Sequence, residues 1–126
     1  MKRIEKIAEE KTGEKVINAQ DKVLGRLASE IAVSLMGKTR ASFERHIYTG
    51  LKVKVINASQ IKITPKKLAE ISHVKYSGHR GGLKVMKGAE IVQKKGLKEL
   101  VELAVFHMLP GNKLRREMLK NLNIEN

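Results

Sequence analysis

The sequence predicts an α/β fold with a parallel sheet. Two β-type segments, Val16-Ile17-Asn18-Ala19 and Val53 to Ile56, each run into an Asn-Ala pair. Between them lies a long apolar stripe with helical period. Strands joined through a helix run parallel, because only a crossover brings the chain back in the same direction. The composition agrees: 126 residues, 41% hydrophobic but only 3% aromatic with no Trp. That is enough for one domain, with a core built from Leu, Ile, Val, Met and Ala.

Residues 1–14 read as an N-terminal extension, with Ile4, Ile7 and Ala8 helically spaced in a short run that stops at Gly13. Residues 15–126 read as the single domain. After the first strand, apolar residues fall at Leu24, Leu27, Ala28, Ile31, Ala32 and Leu35, one face of an α-helix. Gly37 is its natural C-cap. Residues 38–50 form a polar, basic loop. Beyond the second strand come Ile61, Ile63 and a turn at Thr64-Pro65-Lys66-Lys67.

The stretch from Tyr76 to Gly82 is too glycine-rich to be regular throughout. Ala89 to Lys94 reads as a short helix. After Gly96 a longer helix buries Leu97, Leu100, Val101, Ala104, Val105 and Met108, with Glu99 and Glu102 facing out. Pro110-Gly111 ends it. Asn112 is placed to cap a last helix that turns Leu114, Met118 and Leu119 inward.

Charge is the main compositional fact. Lys and Arg number 26 against 13 acids, a formal net charge of +13. Residues 1–14 are balanced, with four basic and four acidic side chains. Residues 45–89 carry ten Lys or Arg against one acid, Glu70. These charges are spread through a patterned segment rather than blocked into a tail, so a folded surface presents them. Such a surface repels itself and attracts a polyanion, and nucleic acid is the expected partner.

Several classes are disfavoured. There is no cysteine, which excludes disulfides, thiolate zinc sites and a cysteine nucleophile and fits a reducing, cytoplasmic setting. No stretch approaches the ~20 apolar residues of a membrane span, and the first ten residues lack the apolar core of a secretory signal. Gly37-Lys38-Thr39 looks like the end of a phosphate-binding P-loop. However, Ala32 stands where its first glycine belongs, and the helix precedes the lysine instead of following it. His46, His73, His79 and His107 form no metal-binding pattern. No nucleophile elbow appears. We therefore expect no enzyme, metal, cofactor or small-molecule substrate.

Three segments carry chemistry suited to phosphate. Lys38, Arg40, Arg45 and His46 lie on the loop after the first helix, where cations can neutralise a nucleic-acid backbone; a plain solvated loop is the alternative. In Tyr76-Ser77-Gly78-His79-Arg80-Gly81-Gly82-Leu83-Lys84, glycines let the backbone approach a ligand. Tyr76 and His79 can stack on unpaired bases, and Arg80 and Lys84 can reach phosphates. The alternative there is an ordinary β-turn. In Asn112-Lys113-Leu114-Arg115-Arg116, cations gather beside a helix start, although Lys113, Arg115 and Arg116 cannot all share one face. Lys66 and Lys67 add two cations on the turn after the second strand.

In order along the chain, Asp21-Lys22-Val23-Leu24-Gly25-Arg26-Leu27-Ala28-Ser29, His46 with Thr49-Gly50, Val55-Ile56-Asn57-Ala58, Ser77-Gly78 with Gly81-Gly82-Leu83-Lys84, and Met108-Leu109-Pro110 with Asn112-Lys113-Leu114 resemble one family. It is the L-thirteen family of the large ribosomal subunit, in its bacterial form, and the resemblance spans residues 16–124. It implies a three-layer α/β domain with a mostly parallel four-stranded sheet flanked by helices. It also implies a structural role on large-subunit ribosomal RNA, beside neighbouring large-subunit proteins, in the cytoplasmic ribosome, helping the RNA to fold during assembly. The sequence departs from the family pattern at Lys15, where a Trp is usual, at Tyr48 and Leu51 beside Thr49-Gly50, and at Arg80 and Arg115. Two other readings compete: a free-standing nucleic-acid-binding regulator, and an enzyme acting on nucleic acid, which the scarcity of acids opposes.

Overall fold

The structure, a computed structural model, describes residues 13–48 and 50–126. The amphipathic spacing of Ile4, Ile7 and Ala8 and the position of Thr49 lie outside the described residues.

The chain opens with β1 (Glu14–Asn18), crosses through α1 (Leu24–Met36) and returns in β2 (Lys52–Ile56). The two strands pair in parallel, Ile17 opposite Val55 and Lys15 opposite Val53. A single turn (Ala58–Gln60) leads to α2 (Pro65–Glu70) and then to β3 (Ser72–Tyr76) and β4 (Leu83–Lys87). Three helices follow, α3 (Gly88–Lys95), α4 (Leu97–Met108) and α5 (Leu114–Lys120), before β5 (Leu122–Ile124). This last strand joins β2 in parallel, giving the order β1-β2-β5.

The parallel sheet therefore holds three strands among the described residues, not the four expected. The remaining two strands, β3 and β4, form a separate antiparallel pair. The cause lies just after β2. Lys62 makes one parallel bridge to Val23, its N–H donating to Lys22 O at 3.0 Å. Three residues later Pro65 begins α2, with the Thr64 hydroxyl accepting from Lys67 N–H at 3.3 Å. Proline suits the first helical turn, and the chain leaves the sheet before a strand can lengthen. What reads as a turn at Thr64 to Lys67 is thus a helix start.

Helix α1 forms as its spacing predicts. Leu24, Leu27, Ala28, Ile31, Ala32 and Leu35 are all buried, and they meet Ile17, Val53, Val55 and Ile124 from the sheet in one core. Each fully buried Leu or Ile contributes roughly 1.5–3 kcal/mol. Gly37 ends the helix at φ 76°, in the left-handed region that glycine enters freely, with its N–H on Ser34 O at 3.1 Å. The opposite sheet face is polar and open: Val16 is 57% exposed, Glu14, Asn18, Lys52 and Asn123 are exposed, and Lys54 pairs with Glu125 at 2.8 Å. The described residues place no helical layer over it.

Helix α4 packs on α1 and buries Leu100, Val101 and Val105. Met108, expected on that stripe, is 42% exposed; it sits in the last turn, where its sulfur lies 3.2 Å from Ser29 Oγ. Asn112 does not cap α5 with its side chain. The N-cap is Lys113, and Arg115 N–H reaches the Asn112 carbonyl at 3.3 Å instead. Two departures from the family pattern are anchored in the body. Lys15 Nζ donates to the buried Ser34 hydroxyl at 2.9 Å, and Leu51 joins the core.

Candidate nucleic-acid interface

The loop leaving α1 is built from successive tight turns. Arg40 N–H donates to Gly37 O, Phe43 N–H to Arg40 O and Ile47 N–H to Glu44 O, at 3.1 to 3.3 Å. The loop's far end is pinned by Tyr48, whose phenol oxygen accepts from Asn121 Nδ2 at 2.6 Å. Burial pushes the Tyr48 phenol above its ordinary pKa, partly offset by that hydrogen bond. Of the four cationic candidates here, Lys38, Arg45 and His46 are exposed. His46 Nε2 lies 3.4 Å from the Glu44 carboxylate. Arg40 is half-buried, and a Cβ at Gly13 would sit 3.2 Å from its guanidinium, so it lies against the start of β1.

The glycine-rich stretch proves to be the tip of a hairpin. Strands β3 and β4 pair in the register Tyr76 to Leu83, Lys75 to Lys84 and Val74 to Val85. Gly78 and Gly81 turn the chain at φ 84° and 71°, conformations that a side chain would strain. Gly82 is required for space: a Cβ there would collide with Ser77 Oγ. The tip presents His79 and Arg80 to solvent, with Lys84 exposed on β4. Tyr76 is 65% exposed on one hairpin face beside Val74, Leu83 and Val85, all exposed. The strands were legible in the alternation Val74-x-Tyr76 and Leu83-x-Val85 around the glycines. Sequence reading recognised only the loop.

The third segment divides. Asn112, Lys113 and Arg116 are exposed. Arg115 folds back: its Nε donates to Pro110 O at 3.1 Å, its Nη2 to Leu109 O at 2.9 Å, and its guanidinium lies 4.4 Å over the Phe106 ring. It therefore holds the bend between α4 and α5 and is not a free cation. Helix α5 has seven residues, and its start at Lys113 carries no side-chain cap. Lys66 and Lys67 stand exposed on the first turn of α2.

The fold brings the first and third segments together. Between them opens a cleft of about 300 Å³ with Lys38, Arg45 and Asn112 on its lining. The hairpin contributes nothing to this cleft. The sequence also hid a histidine pair: His73 and His107, 34 residues apart, stack with ring centroids 5.4 Å apart. Burial and, second, the charge of His107 lower the His73 pKa. Among the described residues no group of three metal-ligating side chains gathers. No helix there is long and apolar enough to cross a membrane. Chemically, the arrangement is a rigid body carrying separated cationic loops with glycine-backed approach surfaces.

Comparison with known proteins agrees with the motif order. Residues 13–124 match the family described as Ribosomal protein L13. The chain is 47% identical over 109 residues to the large ribosomal subunit protein uL13 of Pelobacter propionicus, covering 86% of this chain and 76% of that protein. It is 44% identical over 109 residues to the uL13 of Roseobacter denitrificans, covering 86% and 71%. It is 44% identical over 108 residues to that of Natranaerobius thermophilus, covering 86% and 75%. With a match that runs from the first described residue to the last strand, the chain belongs to the ribosomal protein L13 family and is a structural component rather than an enzyme.

Proposed function

We propose that this chain is a constituent of the large ribosomal subunit that binds large-subunit ribosomal RNA through its basic loops. In this reading it helps the RNA fold during assembly and sits in the cytoplasmic ribosome beside neighbouring large-subunit proteins.

One observation carries the reading. Among the described residues, Lys38, Arg45, Lys66, Lys67, Arg80, Lys84, Lys113 and Arg116 form no ion pair. Yet ion pairs do form elsewhere on the surface, at Lys22–Glu30 and Lys95–Glu99. Six of these lie in the three segments that sequence reading assigned to phosphate, and Lys66 and Lys67 lie on α2; the excess of unpaired cations extends over the surface, to Arg26, Lys52, Lys62, Lys75, Lys87, Lys94, Lys98 and Lys120. A polyanion satisfies them together. Backbone contacts of this kind position the protein, and the rigid α/β body fixes the spacing between them.

The test is binding of the whole chain to transcribed large-subunit RNA across a salt series. With ~6–10 phosphates neutralised, affinity falls at least a thousandfold between about 50 and 200 mM salt. A nearly flat response refutes the proposal. Sedimentation adds the second arm: the chain travels with large subunits at moderate salt, whereas a free-standing regulator stays at the top of the gradient.

A further inference from the structure

We infer that the cleft between the Lys38 to Tyr48 loop and the bend before α5 receives one unstacked nucleobase of the RNA, with the adjoining phosphates on Lys38 and Arg45. This rests on the proposed RNA-binding role and assigns a distinct contact within it.

The cleft's volume, about 300 Å³, is at the low end for a small-ligand pocket. Its walls are mainly apolar: Met36, Phe43, Ile47, Pro110, Leu114 and Met118. Phe43 offers an aromatic ring, the usual platform for a base turned out of its stack. Asn112 brings an amide able both to donate and to accept at a base edge. The electrostatics fix which part of a nucleotide goes inside. The one acid of the lining, Glu44, lies with its carboxylate 3.4 Å from His46 Nε2, and the rest of the interior is mainly apolar, so a phosphate finds no unmatched cation inside. Lys38 and Arg45 also line the cleft but are exposed at its mouth and unpaired among the described residues.

An uncharged flat ring within and anions outside is the polarity of a nucleotide. An apolar side chain from a neighbouring protein would fill the walls but leave both cations unmatched. The three segments identified from sequence as phosphate contacts therefore do not act alike. The first and third close on a base, while the hairpin meets backbone or stacks from outside.

The experiment uses the whole chain with transcribed large-subunit RNA. Zero-length ultraviolet crosslinking and peptide mass spectrometry locate the contact, and titrations measure the effect of two variants. Phe43→Ala removes the stacking wall, and Asn112→Trp blocks the cleft from its exposed rim without touching the core. The inference expects crosslinks between a single nucleotide and the peptides spanning 39–48 or 111–118, lost in Asn112→Trp. It also expects roughly tenfold weaker binding by either variant, with the salt dependence unchanged because no cation is removed. If both variants bind with wild-type affinity and no crosslink maps to these peptides, the inference is wrong, while a steep salt response keeps the broader reading intact. If the variants keep RNA affinity but lose a neighbouring ribosomal protein from assembled subunits, the cleft is a protein socket and the inference is likewise overturned. Absence of any RNA binding by the wild-type chain overturns both.

Discussion

His73 Nδ1 lies 3.4 Å from His107 Nε2, with the two imidazole planes inclined by only 15°. The other His73 nitrogen, Nε2, is inaccessible and has no partner among the described residues. One ring can donate to the other only while at least one is neutral. A second proton sets two charges face to face between β3 and the end of α4.

The pair predicts a stability that depends on pH. The His73 pKa is lowered in the folded protein, first by burial and second by the charge of His107. The unfolded chain thus binds the proton more readily, so stability rises with pH across the gap. The contribution is complete above about pH 6.5, the unfolded value. It is lost as pH falls from there towards the lower folded value. Melting temperatures between pH 8 and 5 should show this decline, and His73→Asn should flatten it. An equal decline in the variant would assign the effect elsewhere.

Neighbouring arginines should behave oppositely. Arg115→Ala strands the carbonyl of Leu109, takes one of two donors from the carbonyl of Pro110, which keeps the Asn112 N–H, and removes the cation over Phe106. It should lower stability by about 1–3 kcal/mol. Arg116→Ala removes an exposed cation; urea unfolding should be unchanged within about 0.5 kcal/mol, while the salt slope of RNA binding drops by about one. Equal effects of the two substitutions on both readouts would contradict the assignment.

Ser34→Ala should destabilise the chain by about 1–2 kcal/mol. The buried hydroxyl donates to Glu30 O at 2.8 Å and accepts from Lys15 Nζ at 2.9 Å, tying α1 to β1. Lys15→Met leaves the hydroxyl its carbonyl partner and should cost less. Urea midpoints at unchanged m-value measure both.

How far the sequence revealed these features depended on range and burial. Helix α1 was readable because all six stripe residues, from Leu24 to Leu35, meet one core and share one period. Met108 follows the same period on α4, yet in the last turn it lies at the surface against Ser29, and the next residue, Leu109, takes the core place as the helix ends. The β3–β4 hairpin alternates correctly but buries neither face, so its pattern lacked the usual inside-outside contrast. Three of the eight cleft-loop and bend candidates, Lys38, Arg45 and Asn112, stand on the cleft lining, whereas Arg115 looked like its neighbours until the bend at Pro110 brought two carbonyls within reach. The His73–His107 stack, the Lys15–Ser34 bond and the Tyr48–Asn121 bond join residues 19 to 73 positions apart. No local pattern encodes such meetings.

The register that sets Lys75 opposite Lys84 has a thermodynamic corollary. Like charges directly across a two-stranded ribbon oppose its formation, and this ribbon buries too little to hide the penalty. An anion shared by the two ammonium groups turns mutual repulsion into common attraction. Occupancy and zippering of the ribbon are then linked functions: whatever tightens one tightens the other. On the proposed RNA-binding reading, amide exchange in β3 and β4 should slow when RNA is added, and the ribbon should be firmer in company than alone.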